Sequence, residues 1–408
     1  MQATHYKEQK ELWRFGCFIS IAIFILGSYF AGRSGANPDS YSNDFNVYYF
    51  AAQEVAQGRT PYDHSLGAWT PYLYLPLLAE VMLPLTLLPV EQAAFLWFLI
   101  SAAAILLAAR MSVSLTNPNH FPSKATWIAA ISLVVLLRFI FDNFDYGQVN
   151  HVVAFLSVAH FYFDARNKKF LSVSAFVFAA SIKLTPLVFI IYHLAKKRWQ
   201  YAAACASGFV VLTALSFAPF GSRADEAFTV FWKRTIQNQQ GFDFAYHGNQ
   251  SLRAAIERMV GNRQVTDPAS ATTTVIGLLL IGVAFFTAIR AQNNLAAIAA
   301  FFCLTVMLSP LSWKQHFVIL ILPVVCLIGE ALREQQRKYP ICILLVLLFA
   351  LFNLTSPKLI GIAAAEWCEA HSLVFAGALL INIACLYLAL RHHSRRLVGE
   401  NGSPQSIP

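Results

Sequence analysis

Few side chains in this sequence are suited to chemistry, and they stand within or beside long apolar stretches. Asp44 is a carboxylate of the kind that acts as a general base. Lys183, Lys314 and His316 are of the types that bind phosphate. Further polar or aromatic candidates in similar settings are Arg138, Gln148, Asn150, Asn249, Gln250 and Trp313. Charged or amide groups at membrane depth are costly unless they are paired or face a cavity, so we expect these groups to converge on one wet site.

The composition indicates where these side chains must lie. Of the 408 residues, 57% are hydrophobic and 12% are charged, about half the charged share of a soluble domain. A soluble multidomain enzyme is therefore excluded, and an all-α polytopic membrane protein in contact with membrane lipids is predicted. The net charge of +9 is typical of cytoplasmic loops in such a chain, so no nucleic-acid partner is expected.

About twelve apolar segments are long enough to form spans or half-spans of a bilayer. They are residues 13–31, 91–110, 125–141, 149–163, 170–182, 184–195, 199–219, 271–290, 295–310, 316–331, 340–356 and 372–390. The first follows Lys7, Lys10 and Arg14 and has no convincing cleavage site, so we expect a retained span rather than a signal peptide.

Segment 170–195 is either one crossing or a hairpin, because Lys183 and Pro186 interrupt it. With the N-terminus inside and a hairpin here, 18 of the 30 basic and 6 of the 21 acidic residues fall on the cytoplasmic side, which gives +12 inside and −3 outside. A single crossing would invert every later loop against the positive-inside tendency. The hairpin is favoured, and it brings the candidate residues to the outer face.

This topology describes a single domain over residues 1–396 with a short polar cytoplasmic tail at 397–408. Two long outer loops, at about 33–90 and 220–270, separate the spans. In the first loop, residues 45–57 have apolar side chains at helical spacing and predict an amphipathic helix on the membrane surface. Residues 72–89 are apolar but contain three prolines, so we expect a second interfacial helix rather than a span.

Each candidate also has a structural interpretation. Asp44 is placed to cap the helix that follows it, which is the common role of an aspartate there. Lys183 could extend to an interface, although its place in the middle of an apolar stretch favours a site inside the protein. His316 is as compatible with a structural hydrogen bond as with phosphate binding, and Trp313 with an interfacial aromatic.

The amides have structural alternatives as well. Gln148 and Asn150 could join helices to one another by hydrogen bonds, a common use of amides in membrane bundles. Asn249-Gln250-Ser251 matches the glycosylation acceptor pattern, but the pattern is short and we take the match as accidental.

Six short motifs follow one another along the chain. They are residues 43–49 (NDFNVYY), 74–76 (YLP), 147–150 (GQVN), 183–186 (KLTP), 249–252 (NQSL) and 309–313 (SPLSW) with His316. In this order they resemble glycosyltransferase family 87, which includes polyprenol-phosphate-mannose-dependent mannosyltransferases. The resemblance runs from about Asp44 to His316, and it implies a GT-C-type helical bundle.

The resemblance implies an inverting hexosyltransferase, with mannose the expected sugar. Such an enzyme takes the sugar from a polyprenyl phosphate and places it on a glycolipid or glycan at the outer face of the plasma (inner) membrane. By this likeness Asp44 is the catalytic base and His316 an active-site residue. Gln315 departs from the family, where many relatives carry a second histidine.

Charge suggests the remaining assignments. The expected donor-phosphate ligands are Lys183, Lys314 and Arg138, and the expected substrate-binding residues are Gln148, Asn150, Asn249, Gln250 and Trp313. No metal and no cofactor are expected, because the leaving group is a lipid monophosphate that basic side chains can neutralise.

Two other classes share a similar pattern. A lipid-glycan flippase or transporter would have the same number of spans, but it predicts internal pseudo-symmetry, which we do not find in the sequence. An O-antigen ligase or polymerase also has a large outer loop with basic residues, and it would use a diphosphate-linked oligosaccharide.

Overall fold

The fold was obtained as a computed structural model. It describes residues 24–33, 35, 43–63, 65–66, 70–116, 124–237, 241–260 and 267–391. Most of the expected first span at 13–31 and the whole of the expected tail at 397–408 lie outside these residues.

The described chain is almost entirely helical, as the composition predicts. Residues 24–33 are helical, and the α-helices that follow, named in chain order, are α1 (Asp44–Ala56), α2 (Pro76–Met82), α3 (Val90–Leu115), α4 (Ala125–Val135), α5 (Leu137–Tyr146), α6 (Asn150–Asp164), α7 (Lys169–Ile182), α8 (Val188–Ala195), α9 (Trp199–Phe217), α10 (Ala224–Phe231), α11 (Leu252–Val260), α12 (Asp267–Arg290), α13 (Asn294–Met307), α14 (Ile321–Arg333), α15 (Gln335–Phe349), α16 (Pro357–Ile360), α17 (Ile362–Ala370) and α18 (Leu373–Leu390).

Short irregular elements join the α-helices. The 3₁₀ turns are Leu83–Leu87, Thr185–Leu187, Ala218–Arg223 and Lys314–Leu320, and the π-helical turns are Trp232–Ile236 and Ala350–Leu354. Two antiparallel strands of two residues each, β1 (Ser65–Leu66) and β2 (Thr70–Pro71), pair in the first long loop.

The helices are those of a multi-pass membrane protein. Within the described residues, six helices are long and apolar enough to cross a membrane, or seven if α4 and α5, which are bent by 66° at their junction, form one span. Shorter apolar helices, α7 and α13 among them, lie between these. The helix bounds follow the predicted apolar segments closely, whereas the count of twelve spans stays a prediction.

The chain reverses direction between α7 and α8. Ser172 near the start of α7 and His193 near the end of α8 both contact His160 of α6, with His160 Nε2 2.8 Å from His193 Nε2. Arg198, beyond α8, forms a bidentate ion pair with Asp164 at the end of α6. Both ends of segment 169–195 are therefore at the same end of the bundle, which is the hairpin geometry that loop charge favours, with Lys183 at the turn.

The structure corrects the interpretation of α1. Residues on several sides of this helix are buried, including Phe45, Tyr48 and Ala52, so it is not an amphipathic helix lying on a surface. It packs against α2, the 3₁₀ turn that follows α2, and α3. The helical spacing of apolar residues was a correct indication of the helix, but polar residues such as Asn46 and Glu54 are buried as well.

The two long loops contact each other. Arg223 of the second loop forms a bidentate ion pair with Asp63 of the first, at 2.8 and 2.9 Å. The Thr235 hydroxyl donates to the Leu73 carbonyl at 2.8 Å. These bonds hold the two loops together above the hairpin turn.

Gly147 determines how α5 leads into α6. Its backbone has φ +62°, in the left-handed region, and its carbonyl accepts a 2.8 Å bond from Trp97 Nε1. A Cβ at this position would lie 2.5 Å from Phe30 Cζ and 2.6 Å from Phe45 Cβ. Only glycine both adopts this left-handed backbone readily and leaves the space that a Cβ would fill. The turn at Gly147 places Gln148 and Asn150 in the site described below.

We expect Gly147→Ala to lower both thermal stability and activity. The left-handed backbone alone costs about 1–2 kcal/mol for a residue with a Cβ, and the contact with Phe45 adds to this cost. The unfolding midpoint of the detergent-purified protein measures the effect. Gly282→Ala is the matched control, because a Cβ there meets open space, and an equal loss in both variants would contradict this role for Gly147.

Candidate active site

A cavity of about 410 Å³ lies where the first long loop meets the turn between α7 and α8. Its polar lining residues include Asp44, Tyr74, Gln148, Lys183, Thr185, Thr235, Thr305, Ser309 and His316. Most of the rest are apolar, so the few charged groups face one another across a poorly hydrated space. The cavity therefore brings together Asp44, Gln148, Lys183, His316 and Trp313 of the candidates chosen from the sequence.

Asp44 is the first residue of α1, and the capping position belongs to Asn43. Its Oδ2 accepts a hydrogen bond from Gln148 Nε2 at 2.5 Å instead of capping the helix. Burial raises the pKa of Asp44 to about 6, against the opposing effects of the Gln148 bond and the Lys183 charge. A carboxylate with a pKa near 6 is largely ionised at neutral pH and is a stronger base than an ordinary aspartate.

Two amides connect this carboxylate to a cation. The Oε1 of Gln148 accepts a 3.2 Å bond from Asn150 Nδ2, and Asn150 Oδ1 accepts a 2.7 Å bond from Lys183 Nζ. Each amide is thereby fixed in one orientation, with its NH₂ group toward the acid and its oxygen toward the base. The interhelical role considered for Gln148 and Asn150 is thus compatible with a place in the site.

Two tyrosines that the sequence-based choice omitted complete the wall. Tyr48 OH donates to Gln148 Oε1 at 3.2 Å and lies 3.0 Å from Tyr74 OH, which lines the cavity. Burial raises the pKa of Tyr74, so it stays a neutral hydroxyl. The sequence did contain a signal for both tyrosines, because Tyr48 belongs to the motif at 43–49 and Tyr74 to the motif at 74–76.

The imidazole of His316 is close to Lys183. Both side chains line the main cavity and also a crevice of about 10 Å³ with Asn150 and Thr185. His316 is held by the 3₁₀ turn Lys314–Leu320, whose N-cap is Trp313. The Trp313 ring also lines the cavity, and its centroid lies 5.8 Å from that of Tyr246.

Lys314 and Arg138 are not among the described residues that line this cavity, and their expected role as donor-phosphate ligands stays a prediction. Lys314 Nζ lies 2.5 Å from Glu369 Oε1, and Arg138 Nη2 lies 2.9 Å from the same oxygen. His247 Nδ1 is 2.9 Å from the other carboxylate oxygen. One buried carboxylate thus pairs with both cations, and their charges are used within the protein.

Glu369 is a structural residue that the sequence did not indicate. Burial alone would raise the pKa of Glu369, but Lys314, His247 and Arg138 together hold it below its usual value. Its partners come from α5, the second long loop and the turn that carries His316. No local pattern marks Glu369, because its bonds to Lys314 and Arg138 join residues 55 and 231 positions apart.

Asn249 and Gln250 do not line this cavity either, and their expected role in substrate binding stays a prediction. Asn249 donates to the carbonyls of Phe244 and Pro310 and accepts from the Ser312 amide. Gln250 donates to the Glu369 carbonyl at 2.8 Å. Both are fully buried, and they tie the second long loop to the segment before His316.

Much of the remaining cavity wall is apolar. It is lined by Ile182, Leu184, Val188, Phe231, Ile236, Leu304 and Leu308. A ligand that carries both a phosphate and a hydrocarbon chain matches a lining that combines charged and apolar residues. The arrangement offers a base, a cation and an imidazole in a space with little polar competition, which suits transfer of a group from a lipid phosphate to a hydroxyl.

The described residues form a multi-pass helical membrane protein with one cavity that is lined by Asp44, Lys183 and His316, and comparison of the sequence identifies its family. The profile described as Glycosyltransferase family 87 matches residues 72–310. The chain belongs to glycosyltransferase family 87. The match includes Gln148, Asn150 and Lys183, whereas Asp44 and His316 lie outside it.

Characterised relatives agree with this assignment. The chain is 31% identical over 289 residues, 68% of its length and 67% of the relative's, to a polyprenol-phosphate-mannose-dependent alpha-(1-2)-phosphatidylinositol pentamannoside mannosyltransferase of Mycolicibacterium smegmatis. It is 26% identical over 348 residues, 79% of its length and 77% of the relative's, to a polyprenol-phosphate-mannose-dependent alpha-(1-2)-phosphatidylinositol mannoside mannosyltransferase of Mycobacterium tuberculosis.

We expect Glu369→Gln to destabilise the protein. The change leaves Lys314 and Arg138 without a buried anion, a loss typically of about 3–5 kcal/mol, and it loosens the turn that carries His316. The unfolding midpoint and the transferase rate should both fall. Glu366→Gln is the control, because Glu366 is half-exposed and 3.9 Å from His247, and equal behaviour of the two variants would contradict the role of Glu369.

Proposed function

We propose that this protein transfers a hexose, most specifically mannose, from a polyprenyl phosphate to a lipid or glycan acceptor at the outer face of the plasma membrane. The observation that carries the proposal is the cavity in which Asp44 and Lys183 face a common space, joined through Gln148 and Asn150. The donor named for the family's characterised relatives, a polyprenol-phosphate mannose, has the chemistry that this cavity accommodates.

The donor phosphate is assigned to Lys183 and His316. Lys183 is the one Lys or Arg among the described residues that line the cavity, and its Nζ makes one hydrogen bond, to Asn150. Two of its three protons are then available for phosphate oxygens. The polyprenyl chain would follow the apolar wall past Leu184 and Leu308.

Asp44 is assigned to activate the acceptor hydroxyl. The oxygen of this hydroxyl forms a bond to the anomeric carbon of the donor sugar while the bond from that carbon to the phosphate oxygen breaks. The hydroxyl proton moves to Asp44, and the electron pair leaves with the polyprenyl phosphate, whose charge Lys183 stabilises. Asp44 is the one carboxylate among the described cavity-lining residues, which supports a single displacement with inversion over a covalent intermediate on a second carboxylate.

The acceptor is proposed to be a sugar on a lipid. Trp313 lines the cavity, and its ring, 5.8 Å from that of Tyr246, offers a sugar a large apolar surface with a polar N–H. The relatives' names specify phosphatidylinositol mannosides as their acceptors. The outer-face orientation of the site rests on the distribution of basic residues, +12 on one side and −3 on the other.

We expect Asp44→Asn to reduce transfer by about 10²–10⁴-fold, because the amide cannot accept the hydroxyl proton. The measurement is incorporation of labelled mannose from polyprenyl phosphate mannose into lipid by membranes that contain equal amounts of each variant. Asp225→Asn is the control: it also removes one negative charge, but from an exposed aspartate of α10. Transfer at the wild-type rate by Asp44→Asn would remove Asp44 as the base.

The same assay separates this function from the alternatives. Excess polyprenyl diphosphate oligosaccharide should compete poorly, since the cavity supplies one lysine rather than a cluster of cations. A preference for the diphosphate donor would instead favour a ligase or polymerase. Passage of the intact sugar-lipid across proteoliposomes without consumption would favour a flippase.

The pH dependence of the rate should report Asp44 directly. Its pKa is raised to about 6 and the reaction needs the deprotonated form, so kcat/KM should fall about tenfold per pH unit below pH 6. Gln148→Leu removes a hydrogen bond that lowers this pKa. The acidic limb of the pH–rate profile, where the rate falls as Asp44 is protonated, should therefore move to higher pH.

Tyr48→Phe is the matched control for this measurement. It removes the bond to Gln148 Oε1 but leaves the Gln148 bond to Asp44 in place, so it should shift the limb less. A reduced rate in Gln148→Leu with an unshifted limb would show that Gln148 serves only the packing of the site.

A further inference from the structure

A second cavity, of about 660 Å³, lies at the opposite end of the hairpin from Lys183. It is lined by residues from the start of α7 and by the segment that leads from α8 into α9. The lining residues that matter here are Lys169, Phe170, Lys197, Arg198 and Trp199. The proposed transfer reaction makes no use of this cavity.

The charges in this cavity are not all compensated. Arg198 is engaged, through its bidentate pair with Asp164 at 2.6 Å and its position 4.3 Å above the Tyr201 ring. Lys169 and Lys197 are exposed, and neither has a carboxylate partner among the residues that the structure describes. Two free ammonium groups therefore face the same space.

Two exposed aromatic residues lie beside the cations of this cavity. Phe170 is 82% exposed and follows Lys169 in the sequence. Trp199 is 62% exposed and follows Arg198. Exposed aromatic rings beside lysines at helix ends are typical of the boundary between hydrocarbon and headgroups. A ligand held here has its acyl chains beside Phe170 and Trp199 and its anionic group beside the lysines.

Lys197 occupies a position that favours glycine. Its backbone has φ +56°, and its amide and that of Arg198 bond back to Leu194 and His193, as at a helix end closed by a left-handed residue. A lysine costs stability there relative to glycine. The side chain therefore brings a charge to this cavity at the expense of the local fold, which is the pattern expected of a binding residue.

We propose that this cavity binds the headgroup phosphate of an anionic phospholipid. Lys169 and Lys197 neutralise the phosphate, and Phe170 and Trp199 contact the upper part of the acyl chains. The lipid joins the start of α7 to the start of α9, and so braces the base of the hairpin whose turn carries Lys183.

The test is lipid retention by the full-length protein, measured by native mass spectrometry with phosphatidylglycerol or phosphatidylcholine added at equal concentration. The wild type should retain phosphatidylglycerol in preference to phosphatidylcholine. The double variant Lys169→Gln, Lys197→Gln should weaken that retention by about ten- to thirtyfold. Each lysine near an anionic headgroup contributes a similar share of the binding free energy, and the variant removes two of them. Lys338→Gln, an exposed lysine that does not line the cavity, should leave it unchanged.

Lys197→Gly separates binding from folding. It relieves the left-handed strain, so the unfolding midpoint without added lipid should rise while phosphatidylglycerol retention falls. Asn167→Gly, at φ +59° in the neighbouring turn and outside the cavity lining, should leave retention unchanged.

Either of two kinds of result, in lipid retention or in competition with phosphate, would overturn the proposal. One is equal retention of the two lipids by the wild type, or retention of phosphatidylglycerol that the double lysine variant does not alter. The other is complete displacement of phosphatidylglycerol by millimolar inorganic phosphate, which would make this a site for a free anion rather than for a lipid.

Discussion

The bond between Gln148 and the partly buried Asp44 carboxylate is the interaction on which the rest of the site depends. An ionised carboxylate in apolar surroundings is expensive, and it persists only where donors and an opposite charge are supplied. Gln148 supplies the donor, and Lys183, held by Asn150, supplies the charge. The result is an acid with a pKa near 6, poised to accept a proton at neutral pH.

The fold delivers these groups from helix ends and breaks. Asp44 starts α1, Gln148 and Asn150 follow the left-handed Gly147, and Lys183 occupies the turn between α7 and α8. At such breaks the backbone is no longer satisfied within one helix, so irregular chain is tolerated where it lines a cavity. The two ends of the hairpin therefore differ: the turn carries Lys183 into the first cavity, and the other end lines the second cavity with basic and aromatic side chains.

A second network stabilises the site without entering it. Glu369 gathers Lys314, Arg138 and His247, and Gln250 binds its carbonyl. These contacts fix the segment that leads to His316 relative to the second long loop. Of the seven cations and amides expected from the sequence to bind substrate, three therefore contact this one residue: Lys314, Arg138 and Gln250.

The sequence by itself determined the helical membrane class, the approximate positions of the long apolar helices, and the motifs that supply Asp44, Gln148, Asn150, Lys183 and His316. Hydrophobic runs and glycine or proline breaks are local properties, and a local pattern is sufficient to read them. Only the tertiary structure decided that α1 is buried and that Lys183, but not Lys314 or Arg138, faces the cavity. Whether a cation is available depends on its partner, and Glu369 is 55 and 231 residues away from the two that it neutralises.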